Sequence, residues 1–431
     1  MYTIDVGMTI IGIDDTDSRT EGMCTTYVGH KIADRLKTEY DATISRILLT
    51  RLNPAAKHKT RGNASVTIHT DASQDVSMKV VEEMLKKYSV VDDDNTNPGA
   101  VITDSDEIPN EVSEWTNRAM HTLLDISEAQ EIIAKYNFNS IHHGNGRGLI
   151  GSLAGIGAWD AFDDWTYEHI SYRYPDKRGT DRDVNADSVF TAANKHHPDV
   201  WDTVDRTAGD IVCVPHTPCP ILHGIRGDVK KSVENVAQEI ESESVESRQT
   251  FVTNQGTDVH LQESKLENVV DDSAYKTKGI VSKSPDTRKG GHVFFEVESL
   301  ENPEENIDVA AFEPTKHFRK YVRDLKQGDV ITLCGGITDG TLKLEKFKIH
   351  SLNDTKLENP TCESCDRSMG SMGANQGYRC RSCGHTKPDK VEVSIERKLE
   401  RGWYEVPPCA RRHIAKPLVR CDYNEKVHPL I

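Results

Sequence analysis

The chain has 431 residues, a formal net charge of -16 and 36% hydrophobic residues. Its length exceeds what one compact core accommodates and predicts two to four domains. The glycine-rich apolar stretch at residues 148–159 is too short to cross a bilayer, and no secretion signal precedes it. Ten cysteines in a chain this long favour a reducing compartment and a metal site over a disulfide framework. We therefore expect a soluble cytoplasmic protein without a membrane partner, with an acidic surface typical of a salt-rich cytoplasm.

Strands alternate with helices in the N-terminal region. Strands are expected at residues 9–13, 44–52 and 64–69, and helices at residues 23–37, 74–87, 112–124 and 128–136. Thr25 or Thr26 is placed to cap the start of the first helix. This alternation predicts an α/β or α+β domain over residues 1–140.

Three further domains are predicted after residue 140. The second covers residues 141–248 and ends in a Glu/Ser-rich segment, residues 234–248, which we interpret as a solvated helix plus linker. Residues 249–358 contain short strands, including 292–297 and 329–334, around a basic amphipathic helix at 315–326. This pattern fits a five-stranded barrel of the oligonucleotide-binding type, or OB-fold. Residues 359–431 form a metal module followed by a basic tail.

The metal module is the strongest local signal. Cys362 and Cys365 form one Cys-x2-Cys pair, and Cys380 and Cys383 form a second. Two such pairs place four thiolates around one Zn²⁺ in a closed, structural zinc ribbon, whose binding energy is also folding energy. His385 could replace one of the four ligands.

The C-terminal region is basic although the protein is acidic. Residues 360–431 carry 13 Lys/Arg and 9 Asp/Glu, an excess that suggests contact with a polyanion but also fits a chance local fluctuation. Basic residues beside an aromatic suit stacking on an unpaired base and neutralisation of its phosphates. An equally good interpretation is that the aromatic side chain has a structural role and only covers the ribbon. The candidate nucleic-acid contacts are Tyr378, Arg379, Arg381, Arg411 and Arg412.

An acidic turn follows the first strand. Asp14, Asp15 and Asp17 lie at the carboxyl end of that strand, where three carboxylates are costly together unless a cation neutralises them. Mg²⁺ carrying the phosphates of ATP is the usual reason for such a cluster. Thr25 and Thr26 then open a helix, where free N–H groups attract phosphate.

A basic loop supplies the opposite charge. Lys59, Arg61 and Asn63 lie in it, and they are suited to balancing a triphosphate. The sequence has no Walker A motif and no Gly-x-Gly-x-x-Gly between a strand and a helix, which excludes P-loop and Rossmann folds.

These motifs together resemble the archaeal tRNA(Ile) 2-agmatinylcytidine synthetases, in order and along essentially the whole chain. The segments that carry the resemblance are residues 12–18 (GIDDTDS), 22–27 (GMCTTY), 51–54 (RLNP), 59–63 (KTRGN), 97–99 (NPG), 145–151 (NGRGLIG), 166–168 (TYE), 219–220 (CP), 224–227 (GIRG), 254–258 (NQGTD), the four-cysteine ribbon and 403–408 (WYEVPP).

The resemblance implies a kinase-like domain, a ferredoxin-like domain, an OB-fold barrel and a zinc ribbon, in that order. It also implies ATP-dependent attachment of agmatine to C2 of the wobble cytidine of an isoleucine tRNA, so that the anticodon reads AUA, with RNA and not DNA as the nucleic-acid partner. The poorly electrophilic C2 carbonyl would first be phosphorylated on oxygen, and the amine would then displace phosphate.

The resemblance also suggests roles for single residues. Asp14, Asp15 and Asp17 would hold Mg²⁺ and ATP, the basic loop would lie near the phosphates, and Thr25 would be autophosphorylated. Agmatine is dicationic, so charge alone makes Asp164 and Glu168 candidates for its partners. Met8 resembles a natural start, and position 409 departs from the family by carrying Cys.

Two other classes compete with this interpretation. A non-catalytic nucleic-acid-binding protein would account for the barrel and the ribbon but has no use for the acidic turn. A small-molecule ligase or kinase would account for the turn but not for the basic C-terminal region.

Overall fold

The structure is a computed structural model that describes residues 8–57, 59, 62–105, 107–421 and 426–428. Arg61, predicted near the nucleotide phosphates, lies outside these described residues, as do the seven residues before Met8. No helix within the described ranges is long and apolar enough to span a membrane.

The first half of a nine-stranded sheet comes from the N-terminal region. Its strands are β1 (Thr9–Asp14), β2 (Ile44–Arg51), β3 (Ala64–Thr70), β4 (Gly99–Thr103) and β5 (Asn139–His142). They lie in the order β5-β4-β1-β3-β2, and all neighbours are antiparallel. The acidic turn therefore follows the central strand of this half-sheet, β1.

Helices cover both faces of the half-sheet. On one face lie α1 (Thr25–Tyr40) and α2 (Gln74–Tyr88), and on the other α3 (Asn110–His121), α4 (Ile126–Lys135) and α5 (Gly148–Ile156). Helix α1 forms because Val28, Ile32 and Leu36 recur every four residues and are fully buried against the sheet.

The second half of the sheet continues from β2. Its elements are α6 (Ala158–Ala161), β6 (Thr166–Arg173), α7 (Ala186–Lys195), β7 (Val200–Trp201), the small ribbon β8 (Val204–Asp205) and β9 (Asp210–Ile211), β10 (Ile221–Gly227), α8 (Lys230–Glu239) and β11 (Val245–Thr253). The order continues β2-β11-β6-β10-β7, and β11 joins β2 in parallel through Leu48–Val252 and Leu49–Thr253.

Two predicted features differ from this arrangement. The boundaries at 140/141 and 248/249 fall inside β5 and β11, since the sheet runs on from one region into the other. The expected linker within residues 234–248 is wrong in its last part, because the chain there enters β11, which pairs with both β2 and β6.

A barrel follows the sheet. Its elements are β12 (Gln262–Glu263), β13 (Ala274–Thr287), β14 (Val293–Ser299), β15 (Asn306–Ala311), α9 (Phe318–Arg323), β16 (Val330–Thr338) and β17 (Thr341–Ser351). The ring β13-β14-β15-β17-β16 closes because β16 pairs with both β17 and β13. This confirms the predicted five-stranded barrel, with Phe318 of α9 buried in its core beside Phe347.

The zinc-ribbon region projects from the barrel on a two-stranded stem. The stem pairs β18 (Thr355–Glu358) with β22 (Val391–Ser394), and between them lie β19 (Gly370–Ser371), β20 (Tyr378–Arg379) and β21 (Thr386–Lys387). The tail then returns to the barrel as β23 (Gly402–Glu405), which pairs with β17, and β24 (Val427–His428), which pairs with β23.

Candidate active site

A cavity of about 550 Å³ lies where the acidic turn, the start of α1, the 51–63 loop and the second half-sheet meet. Most of the predicted catalytic and nucleotide-binding side chains line it. Those present are Asp14, Asp15, Asp17, Thr25, Lys59, Asn63 and Glu168. Sequence positions more than 150 residues apart therefore converge on one space, as an active site requires.

The acidic side of the cavity is built by the end of β1. Asp15 takes a positive φ of 59°, and its backbone N–H donates to Asp14 Oδ1 at 2.7 Å. Burial, and then the neighbouring Asp15 charge, raise the pKa of Asp14 well above its usual value. A cation beside this carboxylate would offset both effects.

Asp15 is already partnered. Arg147 contacts its Oδ2 at 2.8 Å, and the Asn97 N–H donates to the same oxygen at 3.1 Å. Burial raises the pKa of Asp15 against the opposing charge of Arg147. Asp14 is therefore a better fit than Asp15 to a Mg²⁺ that also binds phosphate, because this ion usually takes one or two protein carboxylates.

The start of α1 faces the same cavity. Cys24 is the N-cap residue and its side chain makes no capping bond, so the expectation that Thr25 or Thr26 caps this helix is wrong. Thr25 is instead the first residue of the helix, and its Oγ1 accepts a 3.1 Å hydrogen bond from Thr16 Oγ1. An uncapped helix start beside a hydroxyl is suited to binding phosphate.

Cations line the opposite side. Glu168 lies between two of them, 3.4 Å from Arg51 Nη2 and 3.3 Å from Arg226 Nε. Burial, and then Arg412 and Lys343, lower the pKa of Lys59. These positive groups suit a polyphosphate that enters the cavity.

Asp164, the other carboxylate proposed for agmatine, lies elsewhere. It pairs with Lys416 Nζ at 2.9 Å and with Arg420 Nη2 at 2.9 Å, and it does not line the cavity. Its charge is therefore already used to hold the C-terminal tail.

Arg411 also differs from its predicted role. Its guanidinium is 5% exposed and lies 2.7 Å from both Asp202 and Glu405. Because two buried carboxylates hold this group, it anchors the tail and has no free face for an RNA phosphate. Arg412, by contrast, is exposed and close to Lys59.

The four ribbon cysteines converge as predicted. Their sulfur atoms all lie within 4.8 Å of one another, and this is the one such cluster of metal-binding side chains among the described residues. Backbone N–H groups of Cys383 and Ser382 lower the pKa of Cys380 to about 6, which favours the thiolate that binds zinc. Tyr378 is half-buried against this cluster, whereas Arg379 and Arg381 are exposed.

Other cavity residues received no individual role in the active site from the sequence. They include Arg51, Arg147, Cys213, Arg226 and His413. Arg51, Arg147 and Arg226 stand within motifs that carry the resemblance, and those motifs could have identified them. His413 belongs to the basic run that begins at Arg411, but nothing local places it in the cavity, because the tail reaches the cavity only through tertiary packing.

Comparison with known proteins gives matches along the chain. Family models described as the TiaS TCKD domain, the TiaS FLD domain and the TiaS C-terminal zinc ribbon domain match residues 10–74, 146–260 and 359–399. The isoleucine-tRNA 2-agmatinylcytidine synthetase TiaS of Haloquadratum walsbyi is 45% identical, covering 98% of this chain and 100% of the relative. That of Methanosarcina mazei is 44% identical, covering 95% and 97%.

Solved structures agree with this likeness. A crystal structure of TiaS in complex with an isoleucine tRNA and ATP superposes with a TM-score of 0.87 at 38% identity, covering 97% of this chain and 99% of the other. A complex of TiaS with the tRNA, AMPCPP and agmatine gives 0.85 at 36% identity, covering 97% and 98%.

Proposed function

This chain belongs to the TiaS family of isoleucine-tRNA 2-agmatinylcytidine synthetases, and we propose that it uses ATP to attach agmatine to C2 of the wobble cytidine of an isoleucine tRNA. The product, 2-agmatinylcytidine, lets the anticodon read AUA. The observation that carries the proposal is the single cavity in which the acidic turn, the uncapped start of α1 and the basic loop face one another.

The acidic turn and α1 serve ATP in this proposal. Asp14 and Asp17 hold Mg²⁺, Lys59 and Asn63 lie near the phosphates, and Thr25 accepts a phosphoryl group. Mg²⁺ would neutralise phosphate charge that builds up as the bond to the γ-phosphate breaks. The first half-sheet with its helices then acts as the kinase-like domain, and the second half-sheet as the ferredoxin-like domain.

Agmatine and the tRNA use the remaining surfaces. Of the two carboxylates considered for agmatine, Glu168 is the better candidate because it lines the cavity. Its pairing with Arg51 and Arg226 would have to rearrange to admit the cationic agmatine as well. Exposed Arg379, Arg381 and Arg412 are suited to RNA phosphates. None of the ten cysteines, all of which lie in the described ranges, forms a disulfide, which supports a cytoplasmic location.

Nucleoside mass analysis tests the function directly. After incubation of the isoleucine tRNA with enzyme, ATP, Mg²⁺ and agmatine, we expect a cytidine product heavier by the agmatine moiety. Asp14→Asn should abolish ATP turnover and product while tRNA binding is nearly retained, whereas Asp34→Asn, on the exposed face of α1, should behave as wild type. ATP consumption by Asp14→Asn at the wild-type rate would show that the metal assignment is wrong.

A further inference from the structure

His413 is a residue of the C-terminal tail that lines the cavity. Its position follows from Gly62 in the basic loop: a Cβ at that position would lie 3.4 Å from His413 Nε2 and 2.7 Å from an Arg51 Nη. The imidazole therefore faces the cavity between the basic loop and β2.

The tail segment that carries His413 is anchored on both sides. Arg411, two residues before it, is fixed by Asp202 and Glu405, and Lys416, three residues after it, pairs with Asp164. Ile414, directly after His413, is 2% exposed. These anchors hold the backbone of His413 at the cavity, and a fixed position of this kind is what proton transfer requires.

The surroundings of the ring keep it neutral. Burial is the main cause that lowers the pKa of His413 well below its usual value, followed by the charges of Arg51 and Arg226, by His260 and by Lys59. Among the residues that the structure describes, none makes a hydrogen bond to the His413 ring. Within those residues, no donor competes for its nitrogen lone pair.

The other groups of the cavity are engaged differently. Glu168 is held by Arg51 and Arg226, and burial keeps Cys213 a thiol by raising its pKa to about 12. In the proposed function the aspartates of the acidic turn belong to the metal. The amine of agmatine, however, is an ammonium ion near neutral pH and must lose a proton before it can attack.

We propose that His413 is the base that accepts this proton, an assignment that rests on the proposed function. The ammonium gives one proton to the imidazole, and its freed lone pair forms the N–C2 bond to the phosphorylated cytosine. The C2–O bond then breaks, and phosphate leaves with the bonding electrons. The nitrogen passes its second proton to water, and the imidazolium returns its own to solvent.

Substrate binding would make His413 a stronger base. The phosphates of ATP and tRNA would neutralise Arg51, Arg226 and Lys59, the cations that disfavour the imidazolium in the empty cavity. Proton acceptance would then become favourable only after both the nucleotide and the RNA are present.

His413→Gln separates this role from folding and from ATP chemistry. We expect single-turnover formation of agmatinylcytidine at pH 7 to fall by about 10²-fold or more, the range that general bases contribute. Phosphorylation of the tRNA without agmatine should stay within about 2-fold of wild type, because it does not need this base. His196→Gln, at the end of α7 and outside the cavity, is the matched control.

Two rescues complete the test. Imidazole should restore product in His413→Ala, and an agmatine analogue with an aminooxy group in place of the amine should react nearly equally with wild type and His413→Gln, because it is already deprotonated at pH 7. Equal loss of phosphorylation and product, or full product from His413→Gln, would overturn the assignment. If His413→Gln did not fold, His413→Asn would take its place in the same comparison: loss of product with agmatine but not with the analogue would support the assignment, and equal loss with both would overturn it. Absence of product from wild type would instead contradict the proposed function.

Discussion

The position of the Asp14 carboxylate requires that residue 151 has no side chain. A Cβ on Gly151 would lie 2.0 Å from Asp14 Oδ2, so only glycine lets α5 pack against the end of β1 with this carboxylate in place. The glycine-rich segment before and within α5 thus serves the acidic turn directly, because it allows close approach.

Thr25→Val should remove self-labelling by ATP that carries a labelled γ-phosphate. Thr25 is the first residue of α1, beside the acidic turn, so its hydroxyl is placed to receive a phosphoryl group, and valine keeps the shape without the oxygen. Phosphopeptide mapping checks the result. Thr26→Val, in the same helical turn, should still be labelled, and a fully labelled Thr25→Val would move the acceptor to another hydroxyl.

Residues that form the cavity were predictable where local sequence carries the chemistry. The three aspartates of the acidic turn stand together in one short segment, and their clustering alone pointed to a cation. Asp164 and Arg411 were assigned on charge alone. Both partners of Asp164, and Asp202 among the partners of Arg411, lie more than 200 residues away in the chain. Sequence alone therefore does not show that these charges are already paired.

At the level of elements, the zinc ribbon is separated from the main body by its stem. Its small core contains Cys362, Met369 and Cys380, and it is distinct from the barrel core. A module with so few buried apolar groups depends on its metal for stability.

Cys380→Ser should therefore release zinc and unfold the ribbon alone. We expect loss of bound zinc by metal analysis, weaker tRNA binding and no agmatinylcytidine, while any ATPase activity without tRNA and the main thermal transition are retained. Cys409→Ser, an exposed cysteine outside the ribbon, should keep its zinc. A variant that retains a full equivalent of zinc would indicate a replacement ligand such as His385.

Strand β11 shows why some elements escape sequence analysis. Residues 245–253 are mostly polar, and Phe251 is the large apolar side chain that they bury completely. Their strand conformation comes from pairing with β6 and β2, which lie far away in the chain. The barrel was predictable because its strands follow one another and carry alternating apolar residues.

At the scale of the whole molecule, the tail fastens the sheet to the barrel. Arg420 pairs with Asp164 and Asp228 on the sheet side, and Lys346 of β17 pairs with Asp258 at 2.9 Å. These ionic contacts join the second half-sheet to the tail, and the segment after β11 to the barrel. The cavity therefore depends on the folding of all parts together.

Acid should destabilise this assembly through buried histidines in both half-sheets and the segment after them. Burial lowers the pKa of each to about 4; they are His69, His169, His223 and His260. Below pH 6.5 the unfolded chain binds protons that the folded protein does not bind, so the free energy of unfolding falls by about 1.4 kcal/mol per pH unit for each histidine until pH 4.

Glu345 opposes this trend, because burial raises its pKa to about 7 and its contribution grows as pH falls from 7 to 4.5. Between pH 4.5 and 6.5, the four histidines and Glu345 together should make the free energy of unfolding depend on pH with a slope that approaches that of three protons. Urea unfolding between pH 4.5 and 7.5 at constant salt measures it, and His223→Gln should reduce the slope by up to one proton, because that ring is fully buried. His142→Gln, at an exposed position of β5, is the control, and an unchanged slope in His223→Gln would show that its imidazole binds its proton equally in the folded and unfolded states.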